Sequence, residues 1–456
     1  MYYQILGALT LLFKKIFPSG KTYSKFFLKI LKYVAKFVIW RFEPKIIAVT
    51  GSVGKTSAVE AISAVLSYQD ENSEKRIRKI RKSKGIIDSL YEVPLTIMGE
   101  WNEENLILFK KEKLSAKEKL EKANFLLKAI LKTLYEIFVI KQTDYPEILI
   151  LECGSRRPKD MKYILKVIRP SIGIITAVGE IPAHVEFWSG PEAVLREKAR
   201  LVEHLPGNGF AVLNFDDEPV ANLKDRMRGR NITFGFGDGA DVKISNFENR
   251  SDQGEPWGIS FKLSYGGSLV PIMIKNGLGR AEAYAAAIGA CAGLIFDLNL
   301  VEISEALRAN YKPIAGGMNL LRGIKDTRII NSSASATPLS VEEALNILRD
   351  FQSSRKIAVL GDMLELGKYT IEGHESIGQL AARIADIVIT VGPRGKFIAS
   401  GALTAGMFKN KISSFDTVFE AGKFLQETMR KGDLILIKAS RRMELSKIVE
   451  EIREVR

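Results

Sequence analysis

Between an apolar run and a stretch of helix formers, the chain reads Gly51-Ser52-Val53-Gly54-Lys55-Thr56-Ser57. Few segments of this length restrict a fold so tightly. Lys45–Thr50 (KIIAVT) reads as a short buried strand, and Ser57–Ser67 as the helix that follows it. Glycines between the two let the backbone curl, so that its N–H groups face an anion at a helix N-terminus. In that setting Lys55 neutralises β- and γ-phosphate charge, and the Thr56 hydroxyl is placed to bind Mg²⁺. The match is to the shorter GxxGK[ST] form, because Val49 stands where the longer pattern has glycine. Phosphate groups and Mg²⁺ are therefore the expected ligands, in a parallel α/β sheet whose carboxyl edge carries the loop.

At 456 residues the chain is too long for one compact core, so two or three domains are expected. Cys153 and Cys291 lie far apart in apolar surroundings, which argues against a disulfide framework or a cysteine zinc site and for a reducing cytoplasm. The net charge of +14 is unevenly spread: residues 1–45 carry nine basic side chains against a single acid, Glu43. A second cluster runs Lys75, Arg76, Arg78, Lys79, Arg81, Lys82 and Lys84. Neither patch has the aromatic interleaving or recognition helix of a nucleic-acid reader, and no nucleic-acid partner is expected.

Residues 1–44 read as amphipathic helices that associate with a membrane surface. Met1–Phe13 is apolar but shorter than the ~20 residues a spanning helix needs. In Tyr23–Phe42, Lys25, Lys29, Lys32 and Lys36 recur at helical spacing, and Phe26, Phe27, Ile30, Leu31, Val34, Phe37, Val38 and Trp40 fill much of the rest. The expectation is a helix lying on an anionic membrane, dispensable for the fold. The alternative is a helix packed on the protein's own core.

Further segments carry a resemblance. They are AVTGSVGKTS at 48–57, EVPLTIMG at 92–99, ILECGSRRPKDM at 150–161, PAHVEFWSGPEAVLREKARLVEHLP at 182–206, VLNFDDEP at 212–219, VLGDMLELG at 359–367 and IKASR at 437–441. In this order the chain resembles the Mur ligases, most closely the MurF branch that adds D-alanyl-D-alanine to the peptidoglycan precursor peptide. The resemblance implies a central ATP-binding domain over 45–311, with a basic and apolar insertion at 100–142, and a Rossmann-like C-terminal α/β domain over 312–456. Strands are expected at Arg328–Ile330, Lys356–Leu360, Ile387–Val391 and Leu434–Lys438.

Site roles follow from the same resemblance. Glu152 ends the apolar strand Ile148–Leu151, where a carboxylate suits Mg²⁺. His184 is implied as ligand to a second metal ion, and Lys198 as a lysine carbamylated by CO₂ into a metal-binding anion. Asn331 is implied at the nucleotide. The implied reaction joins a peptide-bearing cell-wall precursor to an amino acid or dipeptide through an acyl phosphate, at the inner face of the cell membrane.

The pattern departs from the family in several places. The membrane-like segment stands where MurF proteins usually carry a domain for the UDP moiety. Asp88-Ser89 replaces Asn-Asn, and Arg200 stands at an acidic position. Ala281 and Ala285 fall where a histidine and an asparagine near adenine are usual. Gly317, within Ala315-Gly316-Gly317, replaces the hinge arginine, and Asn331-Ser332-Ser333-Ala334-Ser335-Ala336 replaces Asp-Asp-Ser-Tyr-Asn-Ala. Two other readings stay open: a Mur-type ligase for another acidic or lipid-linked substrate, and a catalytically silent nucleotide-binding membrane scaffold.

Overall fold

A computed structural model describes residues 20–68, 78–110, 114–227, 229–252, 255–314, 318–333 and 335–454. The Met1–Phe13 run, Lys75, Arg76, the 315–317 hinge and Ala334 lie outside the described residues.

Among the described residues, nine strands form one sheet: β1 (Lys45–Thr50), β2 (Ile80–Lys82), β3 (Ile148–Glu152), β4 (Ile172–Ile175), β5 (Phe210–Asn214), β6 (Arg230–Gly235), β7 (Val242–Asp252), β8 (Glu255–Tyr265) and β9 (Ser268–Lys275). Their order is β2-β3-β1-β4-β5-β6-β7-β8-β9. Pairing is parallel as far as β7, then antiparallel through β8 and β9. Near-continuous apolar strands such as KIIAVT and ILILE are what a parallel sheet covered on both faces requires. Register then positions the chemistry. Val49 lies opposite Glu152 and Thr50 opposite Ile175, so β1, β3 and β4 end side by side at one carboxyl edge.

A second sheet contains β10 (Asn319–Gly323), β11 (Thr327–Ser332), β12 (Arg355–Gly361), β13 (Ile387–Val391), β14 (Ile412–Phe415) and β15 (Asp433–Lys438). Its order is β10-β11-β15-β12-β13-β14, parallel except for the antiparallel β10–β11 pair. The two sheets are not independent bodies. Leu278, from the chain just after β9, is buried in the second unit's core, and Ile181 packs against that core as well.

Helix α1 (Gly20–Phe42) does not lie free of the body. Phe27, Leu31 and Val34 pack against Leu95 and Met98 of α2 (Ser89–Met98) and against Leu126, Ala129 and Ile130 of α3 (Ala116–Val139). Ala35, Val38 and Phe42 continue into the layer beneath β1 and β3. Each such burial stabilises by roughly 1.5–3 kcal/mol, against about 1 kcal/mol per lysine at an anionic leaflet. The inner face of α1 from Phe27 to Phe42 is thus part of the core, which corrects the expectation of a dispensable anchor. The reason is that α1 carries two apolar faces, and sequence spacing alone did not tell the inner from the outer. The apolar helix of the 100–142 insertion docks on α1 and α2.

Candidate active site

The loop after β1 leads into α4 (Lys55–Leu66), with Gly54 capping it in the left-handed conformation, φ 78°. Gly51, at φ 153°, passes so close to the neighbouring strand end that a Cβ there would sit 2.0 Å from Thr176 Oγ1. Only glycine allows that turn. The Lys55 ammonium curls back to donate to Gly51 O at 3.2 Å and Ser52 O at 3.4 Å. The Ser52 hydroxyl is buried without a hydrogen-bond partner. An unsatisfied hydroxyl beside a cation, at a helix N-terminus, is what a phosphate would satisfy.

Thr56 Oγ1 donates to Glu152 Oε2 at 2.8 Å. Two oxygens side by side on an octahedral Mg²⁺ are ~2.9 Å apart when metal–oxygen bonds are 2.0–2.1 Å, so the pair fits that ion. Gly85, φ 67°, closes over them. A Cβ on it would lie 2.8 Å from both Glu152 Oε2 and Thr56 Oγ1. Its segment is held by Glu92, whose carboxylate accepts from the backbone N–H of Lys84 and Gly85 at 2.8 and 2.7 Å. Burial, with the nearby Glu152 charge, pushes Glu92 up to about 7. This clamp is the work of the EVPLTIMG segment.

Lys198 lies on α5 (Pro191–Glu203), whose buried face carries it under the phosphate loop. Its ammonium nitrogen, fully buried, donates to Gly51 O at 3.1 Å and Ser155 Oγ at 3.4 Å. Burial first, and then the charge of Lys55, lower it to about 7. A lysine so placed is in large part a free amine at neutral pH, the form that adds CO₂.

His184 follows β4 in a loop whose start is pinned by Asp217, which accepts from Val178 N at 2.7 Å and Gly179 N at 2.9 Å. The residue itself is left-handed, φ 64°. Its Nδ1 hydrogen-bonds Glu365 Oε2, while Arg156 pairs with Glu365 Oε1 and Arg442 stands 3.8 Å from the same oxygen. Glu365 belongs to the second unit, so this cluster ties the two sheets together. Hydrogen bonding from His184 is the main cause that holds Glu365 down to about 2. A carboxylate on Nδ1 leaves Nε2 as the remaining donor atom, the arrangement by which metal-bound histidines are oriented. Sequence reading assigned no role to Glu365, Arg156 or Arg442. The available signal was their presence in VLGDMLELG, ILECGSRRPKDM and the arginines around IKASR.

The nucleoside side differs from expectation. Ala285 is buried in the central core on α6 (Arg280–Ile295), so its side chain offers nothing to a ligand. Ala281 N donates to Glu343, on α7 (Pro338–Asp350) of the second unit. Beside it, Tyr284 donates to Asp216 Oδ2 at 2.7 Å and meets Phe236 edge to face, with the Arg280 guanidinium 4.6 Å from the Phe236 ring centre. Asn331, at the carboxyl end of β11, turns its Oδ1 back to Ser333 rather than to the phosphate loop. The structure therefore brings Gly51, Ser52, Val53, Gly54, Lys55, Thr56, Ser57, Glu152 and Lys198 together. His184 joins Glu365 instead. Among the described residues, no three His, Cys, Asp or Glu side chains stand as a ready-made metal cluster.

Residues 49–265 match the Mur ligase middle domain, and residues 317–441 match the Mur ligase glutamate ligase domain. The chain belongs to the Mur ligase family. This Mur ligase is 25% identical to the UDP-N-acetylmuramoyl-tripeptide–D-alanyl-D-alanine ligase of Bacillus subtilis, over 94% of this chain and 80% of that one. Its fold is similar to MurF from Thermotoga maritima in complex with ADP (TM-score 0.69, 22% identity, 93% and 82% of the two chains covered). A MurF from Acinetobacter baumannii aligns with TM-score 0.72 at 20% identity, covering 92% and 79%.

Proposed function

We propose that this Mur ligase is an ATP-dependent, ADP-forming enzyme that joins D-alanyl-D-alanine to the carboxylate of UDP-N-acetylmuramoyl-tripeptide during peptidoglycan synthesis. The observation that carries the reading is the sheet edge where Lys55, the Thr56–Glu152 pair and Lys198 converge. The curated relatives bear that name.

The chemistry these residues support is phosphoryl transfer to a carboxylate, then acyl transfer to an amine. Oxygen of the carboxylate bonds to the γ-phosphorus as ADP leaves. The amine nitrogen then attacks the acyl carbon, and phosphate departs with the carboxylate oxygen. Two anions must meet, so the barrier is largely electrostatic. Lys55 offsets the phosphate charge. Loop N–H groups orient the phosphates, and the Glu365 cluster holds the second unit against the first so that the reactants are positioned. A Mg²⁺ held by Thr56 and Glu152 would supply further charge neutralisation. His184, through Nε2, and a carbamylated Lys198 are the proposed donors for a second ion, although this structure holds them on separate partners, Glu365 and the Gly51 carbonyl. We read 45–311 as the half that binds ATP and 312–456 as the half that presents the amine.

A peripheral position at the inner face of the membrane belongs to the same reading, supported by the basic N-terminal segment. A lipid-linked carboxylate is the second substrate reading, and the apolar surface described below favours it. The deciding experiment follows ADP release and product mass with purified protein, ATP, Mg²⁺, the tripeptide precursor and D-alanyl-D-alanine. ADP release that needs both co-substrates supports the ligase. ADP release indifferent to both contradicts it.

A further inference from the structure

Helices α1 and α3 lie side by side over α2 and turn their buried faces into one shared apolar layer. Their opposite faces therefore look away from the same core. On α1 that outer face presents Tyr33, Phe37 and Trp40, and on α3 it presents Leu131, Tyr135 and Phe138. These are not marginal exposures: Trp40 is 70% exposed, Tyr135 69% and Phe138 80%. Phe37 and Trp40 stack in parallel with ring centres 5.5 Å apart, which makes a flat aromatic plate. At 100° per residue, Lys29 and Lys36 fall on the same stripe as the α1 aromatics, and Lys128 on the stripe of Leu131 and Tyr135. All three lysines are exposed. Rows of large exposed apolar side chains on two helices that pack together mark an interaction surface.

The charge pattern selects the occupant. Helix α1 has six basic residues and no acidic one. Exposed aromatics that share their helix stripe with lysines, on an α1 that holds no acid, match an interface between acyl chains and anionic headgroups. Among the described residues, no helix is long and apolar enough to cross a membrane, so the contact is one of lying on the leaflet.

We infer that the outer face shared by α1 and α3 is a docking surface for an anionic lipid leaflet, built into the folded body. The inference deepens the peripheral-membrane part of the reading above and is independent of the ligase chemistry. Only Glu43 and Pro44 separate α1 from β1. Six strand residues at about 3.3 Å each then place the phosphate loop roughly 20 Å from the end of α1.

The test uses the full chain, its Tyr135→Ser/Phe138→Ser variant, and vesicles of phosphatidylcholine with and without phosphatidylglycerol. Both substituted side chains are exposed and remote from the phosphate loop, and residues 1–42 stay intact. The parent is expected to co-sediment with the anionic vesicles, and the variant to bind about tenfold or more weakly. Melting temperature and ATP affinity should match the parent. Three results overturn the inference: a parent that ignores anionic vesicles, a variant that binds as tightly as the parent, or light scattering that shows a dimer which the variant dissolves. In the last case the face joins two copies. Turnover on soluble substrates, measured in parallel, reports on the ligase reading alone, so the two failures are told apart.

Discussion

Glu365 and His184 stand 181 residues apart in the chain and share a hydrogen bond across the cleft between the two sheets. Arg156 pairs with the same carboxylate from the central unit. Glu365→Gln keeps the shape and removes the charge. Hydrogen bonds to charged groups are worth roughly 1.5–3 kcal/mol, so kcat/KM is expected to fall about ten- to a hundredfold. ATP affinity should hardly change, because Glu365 has no contact with the phosphate loop. Small-angle scattering should report a more open average shape. An unchanged kcat/KM would show that the contact plays no part in turnover.

Among the described residues, Lys55 meets only backbone carbonyls and no acid pairs with it. Lys55→Ala removes the point charge that the β- and γ-phosphates face. Calorimetric titration should show ATP affinity reduced by about tenfold or more. Equal affinity in mutant and parent removes the basis for the phosphate-loop assignment.

Lys198 carries a pH signature. An ordinary lysine stays protonated up to about 10.5, whereas burial and Lys55 bring this one to about 7. Free amine therefore dominates above that value, and only free amine adds CO₂. Carbamate formation, followed by ¹³C NMR in labelled bicarbonate, should rise from about pH 6 to about pH 8 and be absent in Lys198→Arg. Linkage has the same sign. Between about 7 and 10.5 the unfolded chain binds the extra proton, so stability of the CO₂-free protein rises with pH across that window. A carbamate signal that is flat with pH contradicts the assignment.

At the nucleoside side, Ala281 offers backbone only, and its N–H is already committed to Glu343. Selectivity between bases depends on hydrogen bonds that a wrong base leaves unmet. Turnover with ATP and with GTP is expected to be comparable. A strong preference for ATP would mean that other groups, such as the Tyr284–Asp216 pair, read the base.

Much of the central sheet was legible because parallel strands buried on both faces are written as apolar runs. Lys45–Thr50 and Ile148–Glu152 are instances, and the helix after the loop begins within two residues of its expected start. Short edge strands were not: β10 and β14 are half-buried and carry no such run. The Thr56–Glu152 pair was foreseeable, since the helix that opens after β1 and the end of the adjacent β3 meet at one sheet edge. The bond between Glu365 and His184 was not, because nothing local in either segment encodes which carboxylate closes on which histidine across a cleft. Helix α1 shows a further limit. Its pattern holds an inner stripe and an outer stripe, and only packing against α2 and α3 tells Leu31 from Trp40.

In the proposed reaction a substrate carboxylate is activated by phosphoryl transfer at Lys55 and the Thr56–Glu152 pair. Labelling that carboxylate with ¹⁸O tests it most directly, with the released phosphate analysed by mass spectrometry. One labelled oxygen in the phosphate for each amide bond formed is the result predicted. Amide formation with unlabelled phosphate, or with AMP and pyrophosphate in place of ADP, would contradict the account.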